Sequence, residues 1–223
     1  LSPLNLAAQT ITNDAFRMDT SGNPIYAQGG GIFKFGNTWY WYGVKYNGAV
    51  TYYNNPSAGK NSDTSFNAFT CYSSTNLVDW KFENNVMTSS SPGLGGSSWV
   101  GRMGVAYNTN TMKYVLLSQF SGNNGSGILF ATCSTPNGTF VYDHIQTSVP
   151  IVNSATGDQS LFLDTDGTAY LICSSANGRA HLYVLPLDPA DYLTVDAGDN
   201  IYNGNGREGN MMFKNNGRYY FCS

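Results

Sequence analysis

The sequence predicts an all-β fold of the β-propeller type, and three observations carry that reading. Amphipathic helical periodicity is nearly absent, and short apolar runs bounded by Asn, Gly and Asp take its place. One hairpin pattern recurs four times along the chain. Its spacing settles near 50 residues, the length of a four-stranded blade. Composition agrees: aromatic residues reach 14%, with 16 Tyr and 25 Gly, while only 11% of residues are charged.

The four hairpins can be read in order. They are "GGGIFKFGNTWYWYG" (29–43), "GVAYNTNTMKYVLLS" (104–118), "SLFLDTDGTAYLICS" (160–174) and "NMMFKNNGRYYFCS" (210–223). Each is an apolar strand, a turn of Gly, Asn, Asp or Thr, and an aromatic-rich strand. Asp166-Gly167 and Asn216-Gly217 read as two-residue hairpin turns, whose central residues must tolerate positive φ. The segments "FTCYSSTNLVDWKF" (69–82) and "ILFATCSTPNGTFVY" (128–142) supply a third strand, a turn and a short outer strand for the first two units. A sandwich with accidental internal similarity is the alternative architecture.

The tyrosines that follow the turns, Tyr40, Tyr114, Tyr170 and Tyr220, are 74, 56 and 50 residues apart. Twelve residues before each stands a polar side chain: Gln28, Arg102, Asp158 and Glu208. The innermost strand of every propeller blade starts near the central axis on one common face. Four blades would therefore aim these residues at one spot. No core requires that, because burying unpaired carboxylates is costly. Two carboxylates and an arginine around one cavity suit glycoside hydrolysis, in which one acid donates a proton and an ionised neighbour supports it. Glu208 has the longer reach and is the candidate donor, with Asp158 as its charged neighbour.

Gln28, Arg102, Gln159, Trp99 and Tyr46 are the candidate substrate-binding residues, with Trp99 and Tyr46 stacking on sugar rings. Trp39, Trp41, Trp80 and Tyr107 read as blade packing, and His144 and His181 as structural. Arg207 adjoins Glu208, but strand neighbours point to opposite faces, so the two are not paired.

Other features bound the function. The net charge is −3, and 11 scattered Lys and Arg form no basic stripe, which argues against nucleic acid as a partner. No run of 18 apolar residues exists to span a membrane as a helix. The four cysteines, Cys71, Cys133, Cys173 and Cys222, lie at no zinc spacing and allow either two disulfides or free thiols. Asn124-Gly-Ser and Asn137-Gly-Thr are glycosylation sequons, and the chain starts at Leu1 without Met; both suit a secreted protein. A monomer without cofactor is expected.

In the segments 27–43, 71–80 ("CYSSTNLVDW"), 133–140 ("CSTPNGTF"), 157–171 ("GDQSLFLDTDGTAYL") and 206–221 ("GREGNMMFKNNGRYYF"), the chain resembles glycoside hydrolase family 43. The resemblance runs from Gly22 to Ser223. It implies a five-bladed propeller in which Glu208 is the general acid and Asp158 orients it and tunes its pKa. The family inverts configuration with a third carboxylate, an Asp opening the first blade; here Gly29 stands at that position. The glycine-rich opening is most similar to the exo-β-1,3-galactanase branch, in which an amide side chain from a later blade places the water. That branch has His where Gln28 stands, and Glu where Gly101 and Gln159 stand.

The implied function is a secreted, exo-acting galactan 1,3-β-galactosidase acting on plant arabinogalactan-type polysaccharide. An α-L-arabinofuranosidase or β-xylosidase of the same family is the alternative within the class, and a non-catalytic sugar-binding propeller the alternative outside it. Some family members hold calcium on the axis. With Asp158 and Glu208 alone on offer, no tightly bound catalytic metal is expected. Residues 1–223 are expected to form one catalytic domain that continues beyond Ser223. Three units and a hairpin would otherwise leave a whole sheet edge unprotected.

Overall fold

The computed structural model describes residues 11–13, 15–58, 62–95, 98–152, 155–204 and 206–223. Three four-stranded antiparallel sheets follow one another, and each keeps strict sequence order. Blade I is β1 (Gln28–Phe35), β2 (Thr38–Tyr46), β3 (Phe66–Ser74) and β4 (Lys81–Thr88). Blade II is β5 (Ser98–Asn108), β6 (Lys113–Gly122), β7 (Gly125–Cys133) and β8 (Val141–Gln146). Blade III is β9 (Thr156–Leu163), β10 (Ala169–Ser175), β11 (His181–Pro186) and β12 (Asp199–Asn203). A final hairpin, β13 (Met211–Asn215) and β14 (Arg218–Cys222), stands as a two-stranded sheet. Strands β1, β5 and β9 pack against one another, and β13 against β9, so the first strand of each unit lies nearest the axis. The chain thus carries three blades and the opening hairpin of another, the repeat legible in the sequence.

Side-chain alternation lets blade II serve two cores at once. Leu116, Leu129 and Ala131 face blade I, packing with Tyr42, Val44 and Phe69. Val115, Leu117, Ile128 and Phe130 face blade III, packing with Leu171, Cys173 and Leu185. Trp80 is fully buried and Trp41 packs edge-on against it, Lys34 lies over Trp39, and Tyr107 packs on Tyr114. These four are blade packing, as expected. His144 stacks on Phe130 beside Asp143, and His181 shares a 2.6 Å hydrogen bond with Asn203. All four cysteines are free thiols. Burial pushes Cys173 up to about 12, so it stays an inert thiol.

The turns divide the expectations. Asn216 and Gly217 have φ of 48° and 73° between the paired Asn215 and Arg218, the two-residue turn expected. Asp166-Gly167 is not one: the strands pair at Leu163 and Ala169, so five residues intervene. Asp164 accounts for the difference. Its N–H donates to Thr168 O, and its carboxylate is committed to Thr165 and to the next hairpin. A short helix, α1 (Asn47–Asn54), was not legible either. It lasts two turns, lacks a side-chain N-cap and buries only Gly48, so it displays no apolar stripe.

The inner strand of each four-stranded blade shifts register near its start. The intervening residues are Gly29-Gly30 in β1, Gly101-Arg102 in β5 and Gly157-Asp158 in β9. A bulge of this kind bends the strand and re-aims the side chains it carries.

Candidate active site

The three bulges meet at one cavity of about 390 Å³. Gln28 and Gly29 reach it from blade I, Trp99, Gly101, Arg102 and Gln119 from blade II, and Thr156, Gly157, Asp158 and Arg179 from blade III, with Tyr46 and Thr64 at its side. A larger hollow of about 450 Å³ lies elsewhere on blade I, around Tyr26, Tyr53, Tyr72 and Phe82. None of Gln28, Arg102, Asp158 and Glu208 lines it.

Asp158 is the better anchored of the two candidate acids. Its Oδ2 pairs with Arg102 Nη2 at 2.9 Å and accepts the Gly209 N–H at 2.9 Å. Asn210 Nδ2 donates to Asp158 O at 2.9 Å, so the two residues that follow Glu208 are bonded to the side chain and the carbonyl of Asp158. Glu208 itself is exposed, and its Oε1 lies 2.8 Å from Arg179 Nε. The Nε–H is not directed at that oxygen, so this contact is an ion pair without a formed hydrogen bond. Arg207 lies over the Tyr202 ring and not on Glu208; both residues precede β13, so strand alternation does not set their directions.

Arg102 is positioned from three directions. Asp158 holds its guanidinium, Gln119 Oε1 accepts its backbone N–H at 3.2 Å, and Gln159 Nε2 donates to its carbonyl at 3.2 Å. Gly29 passes close beside it. A Cβ at position 29 would lie 3.3 Å from Arg102 Cγ, and the backbone there has φ of 62°. An Asp at this position would be both strained and crowded.

Gln28, Arg102, Trp99 and Tyr46 all line the cavity, in different surroundings. Trp99 is exposed there. Tyr46 is buried, with its hydroxyl donating to Val100 O at 2.7 Å. Burial pushes its pKa up to about 12, and the Arg102 charge opposes that only in part. It is a neutral wall residue and presents no ring face for stacking. Gln159 corrects the expectation of a substrate contact. It is 1% exposed, and its amide is spent inside the wall on Arg102 O and the Thr156 hydroxyl. Alternation turns it away as Asp158 turns in.

Two residues were missed. Gln119, on the second strand of blade II, donates through Nε2 to Thr156 O at 3.0 Å and also to Gly157 O, tying blade II to the bulge that carries Asp158. Arg179 sits in the β10–β11 turn at φ of 51°, with Nη1 donating to Ala176 O. Neither lies in the twelve-residue register. Among the described residues, no three His, Cys, Asp or Glu side chains gather to hold a metal ion. With Asp158 committed to Arg102 and Gly209, the cavity does not fit calcium, which needs six to eight oxygens.

A family model described as glycosyl hydrolases family 43 matches residues 22–223. No curated protein matches the chain. Among solved structures, an exo-β-1,3-galactanase from Clostridium thermocellum superimposes with a TM-score of 0.77 at 28% identity, covering 95% of this chain and 45% of that one. An exo-β-1,3-galactanase from Phanerochaete chrysosporium with galactose gives 0.77 at 29% identity, covering 95% and 46%. A family 43 β-1,3-galactosidase gives 0.77 at 26%, covering 95% and 43%. The chain therefore spans less than half the length of each of these proteins.

Proposed function

Since this chain belongs to glycosyl hydrolase family 43, whose fold is the five-bladed β-propeller, we propose that it supplies the acid half of an exo-acting galactan 1,3-β-galactosidase active site. The observation that carries the reading is the joint placement of two acids from different units. The segment bearing Glu208 is bonded directly to Asp158, beside a cavity with Arg102 and an exposed Trp99. The galactanase likenesses at 26–29% identity support the choice of substrate.

In this mechanism Glu208 protonates the glycosidic oxygen of the leaving group. Asp158 stays ionised, fixed by Arg102 and the Gly209 amide, and holds the chain at Glu208 in place. Inversion needs a water on the opposite face of the sugar, with acid and base groups roughly 6.5–9.5 Å apart. Gly29 cannot serve as base. Gln28 orients that water, or a group from another part of the propeller does; an amide accepts protons poorly, so the role of Gln28 is orientation. The protein works as a secreted monomer on plant arabinogalactan-type polysaccharide.

The test is a three-way assay of the full protein on β-1,3-galactan, nitrophenyl α-L-arabinofuranoside and nitrophenyl β-xyloside. Release of galactose from galactan chain ends, with little turnover of the pentosides, is expected. Turnover of a pentoside alone would move the protein to a neighbouring specificity. Tight galactan binding with no turnover of any substrate would make it a binding propeller.

A further inference from the structure

The charges of the cavity do not balance once the proposed acid is ready to act. Three charged residues line it, Arg102, Asp158 and Arg179, with Glu208 paired from its edge. While Glu208 is ionised, two guanidiniums face two carboxylates. A general acid must carry its proton to donate it. Protonated Glu208 leaves Arg179 without a counter-charge, while Asp158 remains committed to Arg102 and the Gly209 amide. The Arg179–Glu208 pair is also easily given up. Its side chains are 38% and 61% exposed, and its Nε–H makes no directed hydrogen bond. That Nε atom is shielded from water, and Arg179 is one of the residues lining the cavity.

A guanidinium held by its turn through Nη1, with a buried Nε–H left undirected, suits a carboxylate. Resting on the hydrolase reading above, we propose that the glycan taken by this site is acidic: a galactan-type chain bearing a uronic acid, whose carboxylate replaces Glu208 on Arg179. Binding then releases Glu208 from its ion pair as the acid is needed. Trp99 supplies an apolar face for a sugar ring in the same cavity. Arg179 is thus a specificity residue, and the carboxylate of the substrate completes the charge balance.

The test uses β-1,3-galactobiose and the same disaccharide oxidised to the uronate at C6 of its non-reducing sugar. In the full protein, kcat/KM should favour the acidic disaccharide by roughly tenfold or more, the worth of a charge-assisted pair. Added salt should shrink the preference. In Arg179→Met the ratio should fall to near one whatever the absolute rate, and Arg179→Lys should restore part of it. A calorimetric arm uses Glu208→Gln, which mimics the protonated acid. It should bind the acidic disaccharide more tightly than the neutral one, and more tightly than the unaltered protein does. Equal handling of the two sugars, or a preference that survives in Arg179→Met, would overturn the proposal. Absence of turnover on both would count against the hydrolase reading instead, and the calorimetric arm would still decide this one.

Discussion

Gln119 sits one strand out from the axis, yet its amide ties the strand that carries Arg102 to the strand that carries Asp158. It accepts from the Arg102 N–H and donates to Thr156 O and Gly157 O, on either side of the blade II–III seam. Gln119→Leu removes these three bonds together and should lower kcat far more than it raises KM, because Arg102 and Asp158 lose their alignment. Gln119→Glu keeps one acceptor but turns a second carboxylate oxygen toward two carbonyls in a buried place. It should cost roughly 1–3 kcal/mol of stability, read as a lower melting temperature. Sequence register picked out Asp158 and Glu208 because each stands twelve residues before a hairpin tyrosine, Asp158 inside β9 and Glu208 just ahead of β13. Gln119 and Arg179 reach the cavity from a second strand and a turn, which no inner-strand register can find. Gln159 was misread for a related reason: the bulge aims Asp158 inward, and alternation then buries its neighbour.

Hairpin β13–β14 is clipped to blade III by one buried acid. Asp164 Oδ1 receives Lys214 Nζ at 2.6 Å and Oδ2 receives the Tyr219 hydroxyl at 2.5 Å, with the carboxylate side chain 3% exposed. The Lys214 bond first, then the Tyr219 bond, holds the Asp164 carboxyl well below the usual carboxylate range. The same contacts raise Lys214 above the usual lysine range. A depressed acid contributes stability that is present above its unfolded pKa of about 3.9 and lost as pH falls through its folded one. A raised lysine contributes stability that is present below about 10.4 and lost at higher pH.

The clip should therefore hold from about pH 4 to about pH 10. Melting temperature followed from pH 7 down to pH 2.5 should drop less steeply in Asp164→Asn than in the unaltered protein. Equal slopes would remove the clip from the account. The hairpins themselves were legible because strand alternation and Asn-Gly turns are local signals. The β9–β10 turn was not, because Asp164 answers to a hairpin fifty residues away. Helix α1 lacked any periodic stripe to betray it.

The molecule is built by stacking sheets, and blade II is the wall between its two cores. Leu116 and Leu117 are adjacent, fully buried, and belong to different cores. Truncating either to Ala should cost roughly 2–5 kcal/mol. Hydrogen exchange should separate them. Leu116→Ala should speed exchange in blade I strands facing it, and Leu117→Ala in β10 and β11. A single shared pattern would mean that the three blades open as one unit. The repeat period made this architecture readable from sequence, since each unit buries its faces only against neighbours. The charge pattern at the axis was readable only as residue types, because the partners of each acid depend on how the blades come together.

The central claim, that Glu208 delivers the proton, is tested most directly by comparing two substrates in Glu208→Gln. On β-1,3-galactotriose the variant should lose roughly 10²–10⁴-fold in kcat, the usual worth of general acid help. On 2,4-dinitrophenyl β-galactoside, whose leaving group needs no proton, it should keep most of its rate. A variant that cleaves the trisaccharide at the unaltered rate, or loses both activities equally, would contradict the assignment.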